Sequence, residues 1–273
     1  MKRFFIVCSF LAHHASFASD FEAIGTTSKA NAHSFLFQND IWSCMNHPAN
    51  MAFGEKSGIA FQSGRKFGIQ HFQSYAIGTI IKLNHAQYLG LGVYKFGDEL
   101  FHFTRISCSF AKQISQFSLG GSVELLQWHT PSFKSVYRPT MHIGGETVII
   151  KNKLHAAAQF FNLINTEFNT EIADAAPTLL CVGLKYTHHK QLQLSTEIQL
   201  QTFQIPTHKL SLNYAPIEKL NTYIGISGIE PNFHAGIHFR SKKWGIGYAI
   251  TSHPHLNFSQ TIGLFFYPKD YLQ

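Results

Sequence analysis

The chain has 273 residues, of which 45% are hydrophobic, 14% aromatic and only 14% charged, with a formal net charge of +7. The charged share is well below the roughly 25% of ordinary soluble domains, and the mean hydropathy is −0.04. No run of about 18 apolar residues is present to form a membrane helix. The basic residues are scattered over short turns without interleaved aromatics, which argues against a nucleic-acid partner.

The N-terminus has the pattern of an export signal. Lys2 and Arg3 precede a short apolar run, Phe4 to Ala12, and Ser16-Phe17-Ala18 supplies the small residues that signal peptidase requires. We therefore predict a signal peptide over residues 1–18, cleaved after Ala18, and an exported mature protein.

Residues 19–54 differ from the rest of the chain. Asn39 to Met45 is compatible with one or two helical turns, and Pro48 predicts a turn before the first strand because proline fixes its own φ and lacks a donor. We interpret residues 19–54 as an N-terminal periplasmic or plug segment.

From residue 55 onward the sequence alternates between apolar and polar positions. Between Leu192 and Thr202, leucine, isoleucine and threonine alternate with glutamine, serine and glutamate, so one face of a strand is apolar and the other polar. About fourteen such stretches of about ten residues follow one another, as required for strands that meet lipid on one side and a polar lumen on the other. The prediction is an all-β fold: a closed antiparallel transmembrane β-barrel over residues 55–267, with a C-terminal tail over residues 268–273. A secreted soluble β-sandwich is the alternative.

The connections between the predicted strands also alternate. Short turns, such as Lys151-Asn152 and Ser241-Lys242, alternate along the chain with longer connections, such as 128–136 and 164–176. Outer-membrane barrels have short periplasmic turns and longer outer loops, whereas a sandwich gives no reason for this alternation. The pattern therefore favours the bacterial outer membrane, with its lipid as the surrounding partner.

Four charged residues are predicted to face the lumen: Arg105, Glu124, Glu146 and Glu197. Charges inside a transmembrane element indicate a polar interior or contacts with a plug. One interpretation is a proton or ion path, and the other is hydrogen bonding that anchors residues 35–52. Arg105 is expected to pair with one of the carboxylates.

Enzymatic and metal sites have little support in the sequence. No nucleophile elbow, P-loop, HExxH or dinucleotide motif is present. Neither His188-His189 nor His253-Pro254-His255 has a third ligand at metal-site spacing, and Cys44, Cys108 and Cys181 show no paired spacing. We predict no catalytic, cofactor or metal site. A barrel-type phospholipase or protease would need a Ser–His pair on adjacent strands near the outer rim.

One segment resembles a known family. The run NDIWSCMNHPANMAF, from Asn39 to Phe53, resembles the DDA-x-x-x-x-x-NPAGLA signature of PorV/PorQ-type outer-membrane proteins, which are relatives of the FadL-type barrels. LGLGVYKFGDEL, from Leu89 to Leu100, is similar to small members of the same group. His47 interrupts the usual Asn-Pro pair, and Asn50 stands where glycine is typical.

The resemblance implies a fourteen-stranded barrel with an N-terminal segment inside the lumen. It divides the expected function between an accessory of type IX secretion or surface attachment, working with secretion-machinery or exported-protein partners, and a FadL-like channel for hydrophobic small molecules. We favour the secretion accessory at this point, with the channel as the alternative. The candidate plug and lumen residues are Trp42, Asn46, Pro48, Asn50, Arg105, Glu124 and Glu197.

Overall fold

The computed structural model describes residues 22–54, 57–131, 135–164, 178–202 and 204–268. The predicted signal peptide, residues 1–18, lies outside this described part, as does all of the predicted tail except Pro268. Within it, three short helical elements precede the strands: α1 (Thr26–Ala30), α2 (Ser43–Asn46) and a 3-10 helix (Pro48–Ala52).

Fourteen antiparallel strands close into a single barrel, in which each strand pairs with its neighbours in sequence and β1 pairs with β14. At the closure Ala60 lies opposite Phe265 and Gln62 opposite Gly263. The predicted fold class is confirmed. The strands are β1 Gly58–Arg65, β2 Gln73–Lys82, β3 Gln87–Gly97, β4 His102–Ile114, β5 Phe117–His129, β6 Val136–Ile150, β7 Leu154–Phe161, β8 Leu179–His189, β9 Leu192–Gln201, β10 Thr207–Ile217, β11 Leu220–Ser227, β12 Asn232–Arg240, β13 Trp244–Thr251 and β14 Ser259–Phe266.

The two faces of each strand differ as the alternation predicts. On β3, Tyr88 and Gly90 are buried, whereas Leu91 and Val93 are exposed at 43% and 40%. Leucine, isoleucine and valine occupy the outward positions around the barrel, and monomeric soluble proteins rarely expose an apolar surface that extends this far. It is the surface that a transmembrane barrel presents to lipid. Among the described residues, no helix is long and apolar enough to cross a membrane.

The two ends of the barrel have different connections. At one end, here called the turn end, strands are joined by two to four residues, as between β4 and β5 and between β6 and β7. At the other, the loop end, connections run from four to seventeen residues, the longest lying between β7 and β8. Residue 58, where β1 begins, and Phe266, where β14 ends, both lie at the turn end.

Residues 22–54, here called the N-terminal segment, pack against inward faces of the strands. Helix α1 contacts β11–β14, α2 contacts β2–β4, and the 3-10 helix contacts β3–β6. Glycine at position 120 makes room for the segment, since a Cβ there would lie 2.6 Å from the carbonyl carbon of Pro48 and 2.9 Å from Cα of Ala49. Helix α2 and the 3-10 helix thus fill the half of the lumen formed by β2–β6, and α1 lies against β11–β14.

Candidate functional site

Trp42 lies at the centre of the N-terminal segment and is completely buried. Its ring meets Phe265 of β14 edge-on, with 6.5 Å between ring centroids, and its backbone amide donates to Asp40 Oδ1 at 2.9 Å. Gly25 has a φ of +105°, and any Cβ there would lie 2.7 Å from Cγ of Trp42. A glycine is therefore required where the chain passes over the indole.

Asn46 and Asn50 hold the N-terminal segment together. The Asn46 side chain accepts from the amide of Ile24 at 2.8 Å and donates to the Ile24 carbonyl at 2.6 Å. The Asn50 amide is best satisfied with its oxygen accepting from the amides of Phe37 and Gln38, both at 2.8 Å, and its nitrogen facing His47 and Glu146.

Pro48 begins the 3-10 helix at a position where its missing donor costs nothing. The next residue is tied to the barrel wall, since the Ser118 hydroxyl on β5 donates to the carbonyl of Ala49 at 2.8 Å. The turn at Pro48 thus places the backbone of Ala49 against the barrel wall at Gly120.

Arg105 and Glu124 form a buried ion pair on neighbouring strands, with 3.3 Å between Arg105 Nε and Glu124 Oε2. His142 on β6 lies on the other side of the carboxylate, at 3.0 Å from its Oε2. Arg105 also donates through Nη2 to the carbonyl of Met45. The pair therefore links the barrel wall to the end of α2.

Glu197 on β9 binds a different stretch of the N-terminal segment. Its Oε2 accepts from the Ser34 hydroxyl at 2.6 Å and from the amides of Phe35 and Leu36, each at 3.0 Å. Its Oε1 accepts from Lys209 Nζ at 3.0 Å, on the directly opposite position of β10. Lys209 also donates to the carbonyl of His33 at 2.8 Å, so the Glu197 carboxylate and the Lys209 ammonium group both bind the N-terminal segment.

Two cavities lie on either side of the contact between Glu197 and residues 34–36. The loop-end cavity has a volume of about 290 Å³ and reaches His33 and Phe35. The turn-end cavity has a volume of about 200 Å³ and reaches Leu36 and Phe37. Residues 30–37 lie between the two, and we call them the septum.

The septum is thin when measured along the wall. On each of β9–β12, residues that line the two cavities stand on either side of a single inward position, such as Ser195 and Gln199 around Glu197. Four residues of strand span about 13 Å. Two of the separating positions are glycines that face Ala32 and Ala30. The four separating positions are Glu197, Ser211, Gly225 and Gly236.

The seven residues predicted from sequence thus fall into two groups. Trp42, Asn46, Pro48 and Asn50 belong to the N-terminal segment, and Arg105, Glu124 and Glu197 contact it or brace its contacts from the wall. Sequence reasoning missed Lys209 and Asp40. The strand register could have found Lys209, because it lies opposite Glu197 in the β9–β10 hairpin.

Asp40 lies in the N-terminal segment with only 5% of its surface exposed. Burial raises the pKa of its carboxyl from 3.8 to about 6, against the smaller, opposite effects of Thr27 and the Trp42 amide. Because the docked state holds the proton more tightly, Asp40 favours docking below about pH 4, and this contribution is lost as the pH rises through about 6. Two pKa units correspond to about 3 kcal/mol at most.

We therefore expect hydrogen exchange at the amides of residues 34–42, corrected for intrinsic rates, to show weaker protection at pH 8 than at pH 5. The Asp40→Asn variant keeps an oxygen for the Trp42 amide but removes the titration, so its protection should depend less on pH. His33 works in the opposite sense, because burial lowers its pKa. The difference in pH dependence between the unaltered protein and Asp40→Asn therefore reports the titration of Asp40 alone. Equal pH dependence in the two proteins would show that Asp40 does not titrate between pH 5 and pH 8.

Comparison with known proteins finds solved structures that share the fold of this barrel. No family model matches the sequence, and no curated protein matches it. The CymD monoaromatic hydrocarbon channel superposes with a TM-score of 0.71 at 9% identity, covering 93% of this chain and 100% of CymD. The Pseudomonas putida toluene transporter TodX superposes with a TM-score of 0.67 at 10% identity, covering 90% of this chain and 97% of TodX. The chain shares the complete barrel fold of these two proteins.

Proposed function

We propose that this protein is a non-enzymatic outer-membrane channel for small hydrophobic molecules, described here with its lumen closed. The observation that carries the proposal is the pair of cavities that approach each other from opposite ends of the β9–β12 wall, with only the septum between them. Displacement of the septum would join them into one passage. The end-to-end likeness to a hydrocarbon channel and a toluene transporter supports the same function.

The loop end offers a place where hydrophobic molecules can collect. Its connections carry large apolar side chains that are well exposed, with Leu100 at 73% and Ile229 at 68%. Such side chains lower the free energy of an apolar solute near the mouth of the lumen by removing its surface from water. Further examples are Ile69, Ile164, Ile205 and Phe258.

The septum itself has an apolar part, since Phe35 packs on Phe161 with 4.7 Å between ring centroids. Ala32 and His33 have φ values of 58° and 53°, a region that costs non-glycine residues roughly 1–2 kcal/mol each. This strain makes the septum a weaker part of the N-terminal segment than α2, which packs on glycines of β2 and β3.

A secretion accessory, the function favoured by the sequence resemblance, is the second candidate. The comparisons give no support to a PorV/PorQ or type IX assignment. One observation favours it, because α2 and the 3-10 helix fill the β2–β6 half of the lumen, and an accessory has no need of an open path. Co-purification of exported proteins or secretion-machinery partners from the native host, without any transport, would support it.

A disulfide across the septum tests the channel. A Cβ at position 225 would lie 3.0 Å from Cβ of Ala32, so cysteines at both positions can bond after a shift of about 1 Å. In cells that express the Ala32→Cys/Gly225→Cys variant, we expect oxidation to stop entry of the hydrophobic dye 1-N-phenylnaphthylamine and reduction to restore it.

The Cys108→Ser background is needed because Cys108 is exposed on the barrel surface. The single variants Ala32→Cys and Gly225→Cys serve as controls and should respond to neither treatment. Equal dye entry in the oxidised and reduced double variant would show that no passage runs through the septum.

A further inference from the structure

The turn end of the barrel carries a ring of lysines, which the topology gathers from turns that are far apart in sequence. Six hairpin connections lie at this end, and each has at least one lysine in the connection or up to three residues before it. Seven of the eight lysines are exposed, and the eighth, Lys82, is half-buried with its Nζ 5.8 Å from the centre of the Tyr88 ring. We call these eight residues the lysine rim: Lys82, Lys112, Lys151, Lys153, Lys190, Lys219, Lys242 and Lys243.

The lysine rim has a large positive excess because few acidic residues accompany it. Counted in the same way over the described residues, Glu218 is the one carboxylate at the turn end. The ion pairs that lysines form within the described part of the chain involve Lys66, Lys185 and Lys209, none of which belongs to the rim. The described loop end is balanced by contrast, with three basic and three acidic residues: Arg65, Lys66, Lys95, Asp98, Glu99 and Glu230.

The lysine rim lies at the edge of the lipid-facing surface. In five of the six hairpins a well-exposed apolar side chain stands one or two positions from a rim lysine, namely Leu83, Ile114, Ile150, Ile217 and Trp244. Exposed aromatic residues occupy the same strand ends, as in the interfacial girdles of outer-membrane barrels: Phe117, Tyr186, Tyr214, Trp244 and Phe266. A lysine in this position lays its stem along apolar surface and keeps its ammonium group in the polar layer. The rim charges therefore lie at the depth of the lipid headgroups.

The lysine rim runs around the barrel and does not form a patch on one side. Its hairpins follow one another at every second strand from β2 to β13, a spacing of about 10 Å measured across the strands. The Debye length at physiological salt is about 8 Å, so the positive potentials of neighbouring hairpins overlap. A soluble partner would contact one side of such a ring, whereas the surrounding lipid contacts all of it.

We propose that the lysine rim binds the headgroups of anionic phospholipids, so that lipids such as phosphatidylglycerol gather in the leaflet around the turn end. Their net negative charge complements the rim, and basic clusters beside a membrane-spanning element attract anionic lipid. Lysine suits this role because its ammonium group is a compact charge on a flexible stem. The rim lies outside the lumen, so this inference does not depend on the septum or on the passage of hydrophobic molecules.

Electron spin resonance of spin-labelled phospholipids tests the lysine rim, with the full chain reconstituted in phosphatidylcholine vesicles. The spectrum gives the fraction of each labelled lipid that the protein immobilises, and hence the relative association of the two lipids. At low salt we expect phosphatidylglycerol to associate at least about twofold more strongly than phosphatidylcholine. This preference should disappear in about 1 M NaCl, where the Debye length is only about 3 Å.

Removing charges from the lysine rim should reduce the preference in steps. Lys151→Gln/Lys243→Gln removes two of the eight charges and should lower the preference measurably. Addition of Lys190→Gln and Lys219→Gln should lower it further, towards equal association of the two lipids. A heat-dependent shift in gel mobility verifies that each variant still forms a barrel.

Two controls separate the lysine rim from other effects of substitution. Lys151→Arg/Lys243→Arg keeps the charges at the same positions and should keep the preference. Arg65→Gln/Lys95→Gln removes two exposed charges at the loop end and should have less than half the effect of the glutamine pair at the turn end.

Three results would overturn the inference. Equal association of the two lipids with the unaltered protein would show that the rim contacts only water and salt ions. Equal losses in the turn-end and loop-end glutamine variants would show that the preference follows the net charge of the chain. Binding of poly-L-glutamate without any lipid preference would assign the rim to a soluble acidic partner.

Discussion

Replacing Glu197 with alanine is expected to release the septum while the barrel stays intact. The substitution removes the acceptor of the Ser34 hydroxyl and of two backbone amides, and it leaves the buried Lys209 without its carboxylate. Breaking one partner of a buried ion pair costs about 3–5 kcal/mol. Hydrogen exchange at the amides of Phe35 and Leu36 should therefore become at least a hundredfold faster.

The matched control is Glu230→Ala. The Glu230 carboxylate also has a close partner, with 3.0 Å between its Oε2 and His255 Nε2, but this pair lies on the exposed surface of the loops. Its effect on the septum should be negligible, as expected for an exposed pair. The double variant Glu197→Ala/Lys209→Met should regain part of the protection, because no unpaired charge remains buried. If protection in the septum is unchanged by Glu197→Ala, the contact does not hold it.

The sequence predicts the wall of this barrel better than its contents. The side to which Glu197 and Arg105 point follows from a two-residue period, which fixes every side chain of a strand once one apolar face is recognised. The same period gives the number of strands, because each apolar face of about ten residues marks one crossing. These features are local, so a single sequence contains them.

Contacts between the wall and the N-terminal segment depend on distant pairs and were not predictable in detail. Glu197 accepts from Ser34, 163 positions away in sequence, and neither residue has a local signal for the other. The prediction of one or two helical turns within Asn39 to Met45 agrees with the structure, where the Ser43 amide donates to the Asp40 carbonyl at 3.1 Å and α2 continues over Ser43–Asn46. Helix α1 was missed because Gly25 provides no side-chain cap, and a helix of five residues is stable only through packing.

Predicting the septum requires both the local alternation of the strands and the long-range contacts of the N-terminal segment. The alternating pattern of β11 and β12 places Gly225 and Gly236 on inward faces, but only the structure shows that Ala32 and Ala30 lie opposite them. The proposed passage therefore follows from the three-dimensional register of four strands, and no single motif encodes it.

Deletion of residues 22–54 is expected to turn the closed barrel into a stable open pore. Closure of the barrel rests on hydrogen bonds between β1 and β14, which the N-terminal segment does not supply. The lumen would be left with inward glycines and charged side chains, a polar interior that admits water and ions. In planar lipid bilayers the full-length protein should be almost silent, and the deletion variant should show conductance at least tenfold higher.

Gly120→Val provides a second test that leaves the chain complete. Its Cβ would meet Pro48 and Ala49 at less than 3.0 Å, so the 3-10 helix must move away from the wall. We expect intermittent conductance from this variant, whereas Gly121→Val, whose Cβ meets only the His142 carbonyl at 3.1 Å, should remain closed. A heat-dependent shift in gel mobility would verify that each variant still forms a barrel. A folded deletion variant that does not conduct would contradict the plug, because the lumen would then be closed by the wall itself.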